Sequence, residues 1–415
     1  MPDATFPDDF LWGTATAAHQ VEGGNDNSDI SVMEQTPHSM FKEPAGMACD
    51  HYNRYPEDIA MLAELGFNSY RFSVEWARIE PREGEFLDAA LDHYRQMLEV
   101  CHQHGLKPFV TLHHFTSPVW LVKQGGWQSD STPALFARYA GKVIERLGDL
   151  ISGVCTINEA NIGRVLTTSG MMPPLKQLQR SPGWLEAADQ LGIAPELFMP
   201  FIFAVTDKGM NTVMTTHHQA VARIKSLQPD LDCGLTLAVQ DIVAAEGGEA
   251  LAAQHRRDVN EAYLCQLSND DFVGVQCYSR HRFDAQGPLG PEDGVELTQM
   301  GYEFWPEALA SSIRQAYAAT NLPVLVTENG IATPDDERRI AYLQKALEGV
   351  HVCLNEGIPV LGYTYWSALD NFEWMLGYEP TFGLIAVNRQ TQERTVKKSA
   401  KWLGSIASRG KLNSD

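Results

Sequence analysis

Two apolar runs in this chain each end on a glutamate. Leu322-Pro323-Val324-Leu325-Val326-Thr327-Glu328 is followed by Asn329-Gly330, and Gly153-Val154-Cys155-Thr156-Ile157-Asn158-Glu159 by Ala160. An uninterrupted β-branched run reads as a strand buried on both faces, as in a parallel sheet. Asn-Gly is a turn signal, so Glu328 is expected on the last residue of its strand, where such a sheet opens to ligand. One glutamate of this kind is most simply a solvent-facing strand end. Two facing one cleft are what cleavage of a glycosidic bond requires, one as nucleophile and one as general acid/base. A metal centre is the rival chemistry, through His113-His114 and His217-His218. Neighbours on a strand point to opposite faces and no carboxylate stands at ligand spacing, so neither a metal nor another cofactor is expected. The second histidine pair reads as helical and structural.

Positioning two such carboxylates takes a rigid scaffold. Strand-like runs cover residues 10–17, 67–76, 106–114, 153–159, 231–239, 272–279, 322–328 and 359–367, with amphipathic stretches between them. That alternation is the signature of a parallel sheet built from βαβ units. Leu87, Leu91, Tyr94, Leu98 and Cys101 share one helical face, stopped by Gly105. Thr132-Pro133 predicts an N-cap followed by an N1 proline, and Thr333-Pro334 does the same ahead of Asp335, Asp336 and Glu337. Eight units without a Pro/Gly/Ser linker point to an α/β fold, a single (β/α)8 barrel and one catalytic domain over residues 1–415. The connections at 23–50, 162–205 and 280–299 are long and fall on the C-terminal face, where long loops usually carry function. The second of them is expected to contain short helical pieces and either serves the site or is an inert insertion.

The strand ends converge on one rim. They bring His19-Gln20, Tyr70-Arg71-Phe72-Ser73, His113-His114, Asn158-Glu159, Gln276-Cys277-Tyr278, Glu328, Trp366 and the segment Asp370-Asn371-Phe372-Glu373-Trp374. Amides, hydroxyls, imidazole and carboxylates bind a polyhydroxylated ring while an indole covers its apolar face.

The composition narrows the partners. A formal net charge of −21 over 415 residues disfavours nucleic acid and anionic membranes. No apolar run is long enough to span a bilayer, and residues 1–10 lack the basic start and apolar core of a secretory leader. The seven cysteines are scattered, without C-x-x-C spacing, and read as buried thiols of a reducing compartment. A cytoplasmic protein acting on a small glycoside or short oligosaccharide is expected. A homo-oligomer is left open.

Taken together, five motifs in order resemble family-one glycoside hydrolases, the β-glucosidase family. They are Phe10-Leu11-Trp12-Gly13-Thr14-Ala15-Thr16-Ala17, Tyr70-Arg71-Phe72-Ser73, Thr156-Ile157-Asn158-Glu159, Thr327-Glu328-Asn329-Gly330, and Trp366-Ser367-Ala368-Leu369-Asp370-Asn371-Phe372-Glu373-Trp374. The resemblance implies a retaining exo-β-glycosidase, with Glu328 as nucleophile and Glu159 as acid/base. It implies Gln20, His114, Asn158, Glu373 and Trp374 as glycone-binding residues, Trp366 as a stacking floor, Tyr302 on the acceptor side, and Arg71 with Tyr278 holding the nucleophile. Those partners would keep Glu328 ionised, and its charge would raise the pKa of Glu159. Departures from the family pattern are Ala160 where proline is usual, Gln276-Cys277-Tyr278 for Asn-Tyr-Tyr, and Phe115 for tryptophan. Transfer to a sugar or alcohol acceptor, and sugar binding without catalysis, stay open as alternatives. Glu373, expected beside the sugar's C4 and C6 hydroxyls, implies rejection of 6-phosphoglycosides. As a fixed carboxylate it would discriminate on the order of a thousandfold.

Overall fold

The computed structural model describes residues 4–412, so residues 1–3, where the search for a leader begins, lie outside them, as do 413–415. Eight parallel strands close into a barrel: β1 (Leu11–Thr16), β2 (Ser69–Ser73), β3 (Lys107–His113), β4 (Gly153–Ile157), β5 (Cys233–Ala238), β6 (Phe272–Gln276), β7 (Val324–Asn329) and β8 (Val360–Trp366). Each strand pairs with its successor, and β8 closes onto β1 from Leu11↔Gly362 to Ala15↔Trp366. All eight runs read from the sequence are barrel strands. The continuous Val/Leu/Ile character follows from their position, since the barrel interior covers one face and the helices the other. Those helices include Asp88–Gln103, Thr132–Leu147, Asp207–Leu227, Ala308–Thr320 and Asp336–Asn355. The largest apolar cluster joins strand and helix side chains, from Tyr94 and Phe136 to Val275, Val326 and Leu347.

Several local expectations shift. β4 ends at Ile157, so Glu159 lies two residues beyond the strand, whereas Glu328 is the penultimate residue of β7. Leu87 is not on the apolar face of its helix; it precedes Asp88 and is exposed. Ser131, not Thr132, occupies the N-cap of its helix, because the Thr132 hydroxyl donates to Gly126 O at 2.6 Å instead. In the later helix Asp335 is the cap, accepting from the N–H groups of Glu337 at 3.0 Å and Arg338 at 3.4 Å. Thr333 stands just ahead of the cap and its hydroxyl accepts from Asp335 N. Six of the cysteines are buried and free, but Cys265 is exposed.

The long connections are structured. Residues 23–50 hold the helix Asp29–Glu34, and 162–205 hold Ile162–Thr168, Leu175–Leu178 and Pro182–Leu191. Together they build a second apolar cluster, with Ile30, Met33, Phe41, Met172, Trp184, Phe198 and Phe203, on which Phe372 and Trp374 rest. The third connection pairs Arg280–Phe283 with Asp241–Ala244 and Pro288–Leu289 as a small outer sheet. No helix among the described residues is long and apolar enough to cross a membrane.

Candidate active site

The C-terminal ends of the strands bring the expected side chains together. Arg71, from the middle of β2, is buried and donates from Nη1 to Glu328 Oε1 at 2.7 Å. Tyr278, two residues past β6, donates its hydroxyl to Glu328 Oε2 at 2.6 Å. Both oxygens of Glu328 are therefore held by donors from different strands. The pairing register of β7 slips on both sides as it reaches Glu328, a bulge that re-aims a side chain at the barrel mouth. The chain then leaves through Gly330, where a Cβ would collide with the Trp366 carbonyl oxygen. Only glycine passes there.

Glu159 is held differently. Its backbone has φ 42°, in the left-handed region that non-glycine residues seldom occupy, and among the described residues none donates a hydrogen bond to its carboxylate. Burial first, then the charge of Glu328, raises its pKa well above the ordinary carboxylate value, while Arg71 opposes. Burial also raises Glu328, but Arg71 and the Tyr278 hydroxyl pull back. The two buried carboxylates thus differ in their partners: Arg71 and the Tyr278 hydroxyl oppose burial at Glu328, and at Glu159 only Arg71 does. At Glu159 desolvation, not the neighbouring charge, is the larger cause, and at Glu328 burial outweighs the partners expected to hold it ionised.

A polar network surrounds the pair. Asn158 Oδ1 accepts from Arg71 Nη2 and from Gln276 Nε2 at 2.9 Å, which orients its Nδ2 toward His114 Nε2 at 3.2 Å. Burial, helped by Arg71, lowers the His114 pKa well below the ordinary imidazole value, so the ring is neutral. His113 points the other way, to Ser117 Oγ and Trp127, as alternation on a strand demands. Gln20 Nε2 donates to Phe372 O at 2.7 Å and to Asn371 Oδ1 at 3.3 Å. Gln20 Oε1, His114 Nδ1, Asn371 Nδ2 and Glu373 Oε2 are buried without a protein partner among the described residues. The His114 ring lies nearly parallel to both Trp366, at 5.6 Å, and Trp374, at 6.2 Å. Glu373 is pushed up to about 8 by burial and by Glu328, opposed by the Trp366 and Gln20 side chains. Near neutrality it therefore carries a proton, and the like-charge argument against a 6-phosphate is weaker than a fixed carboxylate implies. Tyr302 is half-buried, with burial and then Glu373 and Glu159 raising its hydroxyl. His217 is a core residue, bonded to Thr156 Oγ1 at 2.8 Å and paired with Asp270. Among the described residues no three His, Cys, Asp or Glu side chains are grouped to hold a metal ion.

This arrangement, two buried carboxylates with different partners beneath a polar and aromatic rim at the barrel mouth, agrees with what the chain matches. The model of glycosyl hydrolase family 1 covers residues 2–243 and 280–412. The chain belongs to that family. It is 31% identical to β-glucosidase A of Thermotoga maritima, covering 97% of both sequences. Among solved structures, β-glycosidase BGL167 superposes with a TM-score of 0.95 at 53% identity, over 97% of each chain. β-Glucosidase 1317 does so with 0.90 at 40% identity, over 97% of this chain and 98% of its own. As a family 1 enzyme it is a retaining β-glycosidase.

Two residues that shape this glycosidase site had no role in the sequence reading: His19, placed on the rim without one, and Thr236, passed over altogether. His19 stacks on Trp374, with centroids 5.7 Å apart and planes 3° apart, and bonds Glu34 Oε1 at 2.8 Å. Thr236 of β5 bonds the backbone of Glu159 at 3.1 Å. Its only signal was a lone hydroxyl inside the apolar run Leu235-Thr236-Leu237.

Proposed function

We propose that the protein is a cytoplasmic exo-β-glucosidase, one catalytic domain removing terminal glucose from β-glucosides and short β-linked oligosaccharides. Glu328 is its nucleophile and Glu159 its acid/base. The reading rests on one observation: Glu328 is bonded on both oxygens by Arg71 and Tyr278, while Glu159 faces it with no donor of its own. Ionised Glu328 attacks the anomeric carbon as Glu159 gives its proton to the departing glycosidic oxygen. The glycosyl ester that forms removes the charge of Glu328, and with it one cause of the high Glu159 pKa. Glu159, now a carboxylate, takes a proton from water as the oxygen attacks the anomeric carbon and Glu328 leaves. Two inversions give net retention. Gln20, His114, Asn158, Glu373 and Trp374 bind the sugar, Trp366 underlies it, and Tyr302 borders the acceptor side. The matched relatives favour hydrolysis over transfer to another acceptor, since their names are those of β-glucosidases.

Azide separates the two roles. Glu328→Ala is expected to lose nearly all activity and to yield an α-glycosyl azide from an activated substrate. Glu159→Ala is expected to form the glycosyl-enzyme from an activated aryl glucoside, stall there, and release a β-glycosyl azide. Reversed stereochemistry reverses the assignment, and a panel of aryl β-glycosides tests the preference for glucose.

A further inference from the structure

The turn that carries Glu159 keeps its pairing to β3 as far as His113↔Ile157 but has lost it on the β5 side. β4 and β5 pair only at Val154↔Cys233 and Cys155↔Gly234, whereas β5 and β6 remain paired as far as Ala238↔Gln276. Beyond Cys155 the chain parts from β5, and Glu159 adopts φ 42°. Two residues bridge the gap: Asn161 exchanges side-chain bonds with Ala238, at 2.9 Å to its N–H and 3.0 Å to its carbonyl, and Thr236 bonds Glu159 itself. The Thr236 hydroxyl accepts from Glu159 N at 3.1 Å and donates to Ile157 O at 3.2 Å, and Thr236 O accepts from Ala160 N at 3.0 Å. Its proton has a second acceptor in reach, Asn158 Oδ1 at 3.4 Å, but that oxygen already takes Arg71 and Gln276. Thr236 is fully buried, so no water replaces these bonds cheaply.

We propose that Thr236 is the positioning residue for Glu159, its hydroxyl and carbonyl clamping both amides of the left-handed turn so that the carboxyl meets the departing oxygen. The proposal rests on Glu159 being the acid/base. It also gives Ala160 a part, because a proline there would have no N–H for the second bond. Two long-range bonds then maintain a backbone conformation that costs energy in isolation.

A misplaced acid matters only where the leaving group needs a proton. Thr236→Val keeps the shape and removes the hydroxyl. Its kcat/KM for an unactivated phenyl or alkyl β-glucoside is expected to fall about tenfold to a hundredfold, within the contribution of a general acid. That for a 2,4-dinitrophenyl β-glucoside is expected to change less than about threefold, the leaving group needing little help from an acid. Thr236→Ser, which retains the hydroxyl, keeps the wild-type ratio of the two. Where the valine variant does not fold, Thr236→Ala is measured in its place and is expected to follow the same pattern. Equal losses on both substrates, no loss on either, or a serine variant as impaired as valine overturns the proposal. Glu159→Gln is the control. If it too falls equally on both substrates, the assignment of the acid itself has failed; if it is selective and the Thr236 variants are not, only the clamp has failed.

Discussion

At the scale of single residues, catalysis here depends on unequal treatment of like groups. Tyr278 is one source of the inequality, as its hydroxyl lowers the pKa of Glu328 against the effect of burial. Tyr278→Phe removes that donor and lets the nucleophile's pKa rise. The acid limb of kcat/KM against pH is therefore expected to move upward, with kcat reduced and the melting temperature little changed. An unmoved limb with a large drop in melting temperature would make Tyr278 a structural residue. Glu373 supplies a second case. With its pKa pushed up to about 8, it is protonated near neutrality and ionised in mild alkali. Selection of a β-glucoside over its 6-phosphate is thus expected to be modest near pH 6 and to strengthen as pH passes about 8. The ratio of kcat/KM for the two substrates at several pH values measures it; a ratio flat with pH removes Glu373 from the C6 side.

At the scale of elements, the loops on the C-terminal face act as a foundation for the sugar-binding segment. Trp184, in the helix Pro182–Leu191, is almost fully buried and donates to Pro195 O at 2.9 Å. It packs in the same cluster as Phe372 and Trp374, although it is nearly two hundred residues away in sequence. Trp184→Ala is expected to cost about 3–5 kcal/mol locally. It should raise KM for the glucoside more than it lowers kcat, because it loosens support for Trp374 and touches neither carboxylate. Steady-state constants with an aryl glucoside test this; a pure loss of kcat would deny the loop that function. The cap at Asp335 is a plainer case. It is exposed and remote from the chemistry, so Asp335→Ala is expected to cost about 1 kcal/mol of stability and leave activity per folded molecule intact.

At the scale of the whole molecule, the site sets a pH dependence on stability. Glu373 rises from 4.5 to about 8 on folding, and Asp29, buried with one oxygen unpartnered, from 3.8 to about 7. A carboxyl raised on folding stabilises fully below its unfolded pKa, and that contribution is lost as pH rises through the folded value. Asp58 works in the opposite sense: burial raises it, but His51 and Arg394 outweigh burial and lower it, so its contribution is lost in acid. The melting temperature is therefore expected to be highest near pH 4 to 5 and to decline from there to about pH 8, helped by the self-repulsion of a net charge of −21. Glu373→Gln removes a rise worth at most about 5 kcal/mol. It should flatten the decline at pH 8 while changing little at pH 4.5. Calorimetry across that range decides it, and equal effects at both ends would show that the carboxyl does not titrate there.

The sequence by itself determined the architecture and the address of the chemistry. Eight β-branched runs alternating with amphipathic stretches have one compact solution, and an apolar strand that ends on a carboxylate puts that carboxylate at the barrel mouth. Strand-end placement thus made Glu159 and Glu328 legible, and motif order supplied Arg71, Gln20 and Tyr278. Tertiary structure decided what depends on partners distant in sequence and on depth. Whether Thr132 caps a helix turned on the nearness of Gly126 O, and the φ of Glu159 on a threonine from the neighbouring strand. The contact of His19 with Trp374 exists only because the barrel closes and brings the two chain ends together. The proton on Glu373 follows from desolvation, which no local pattern encodes: periodicity reports which face of an element is apolar, and only the assembled structure fixes how far water is excluded and which charges remain within reach.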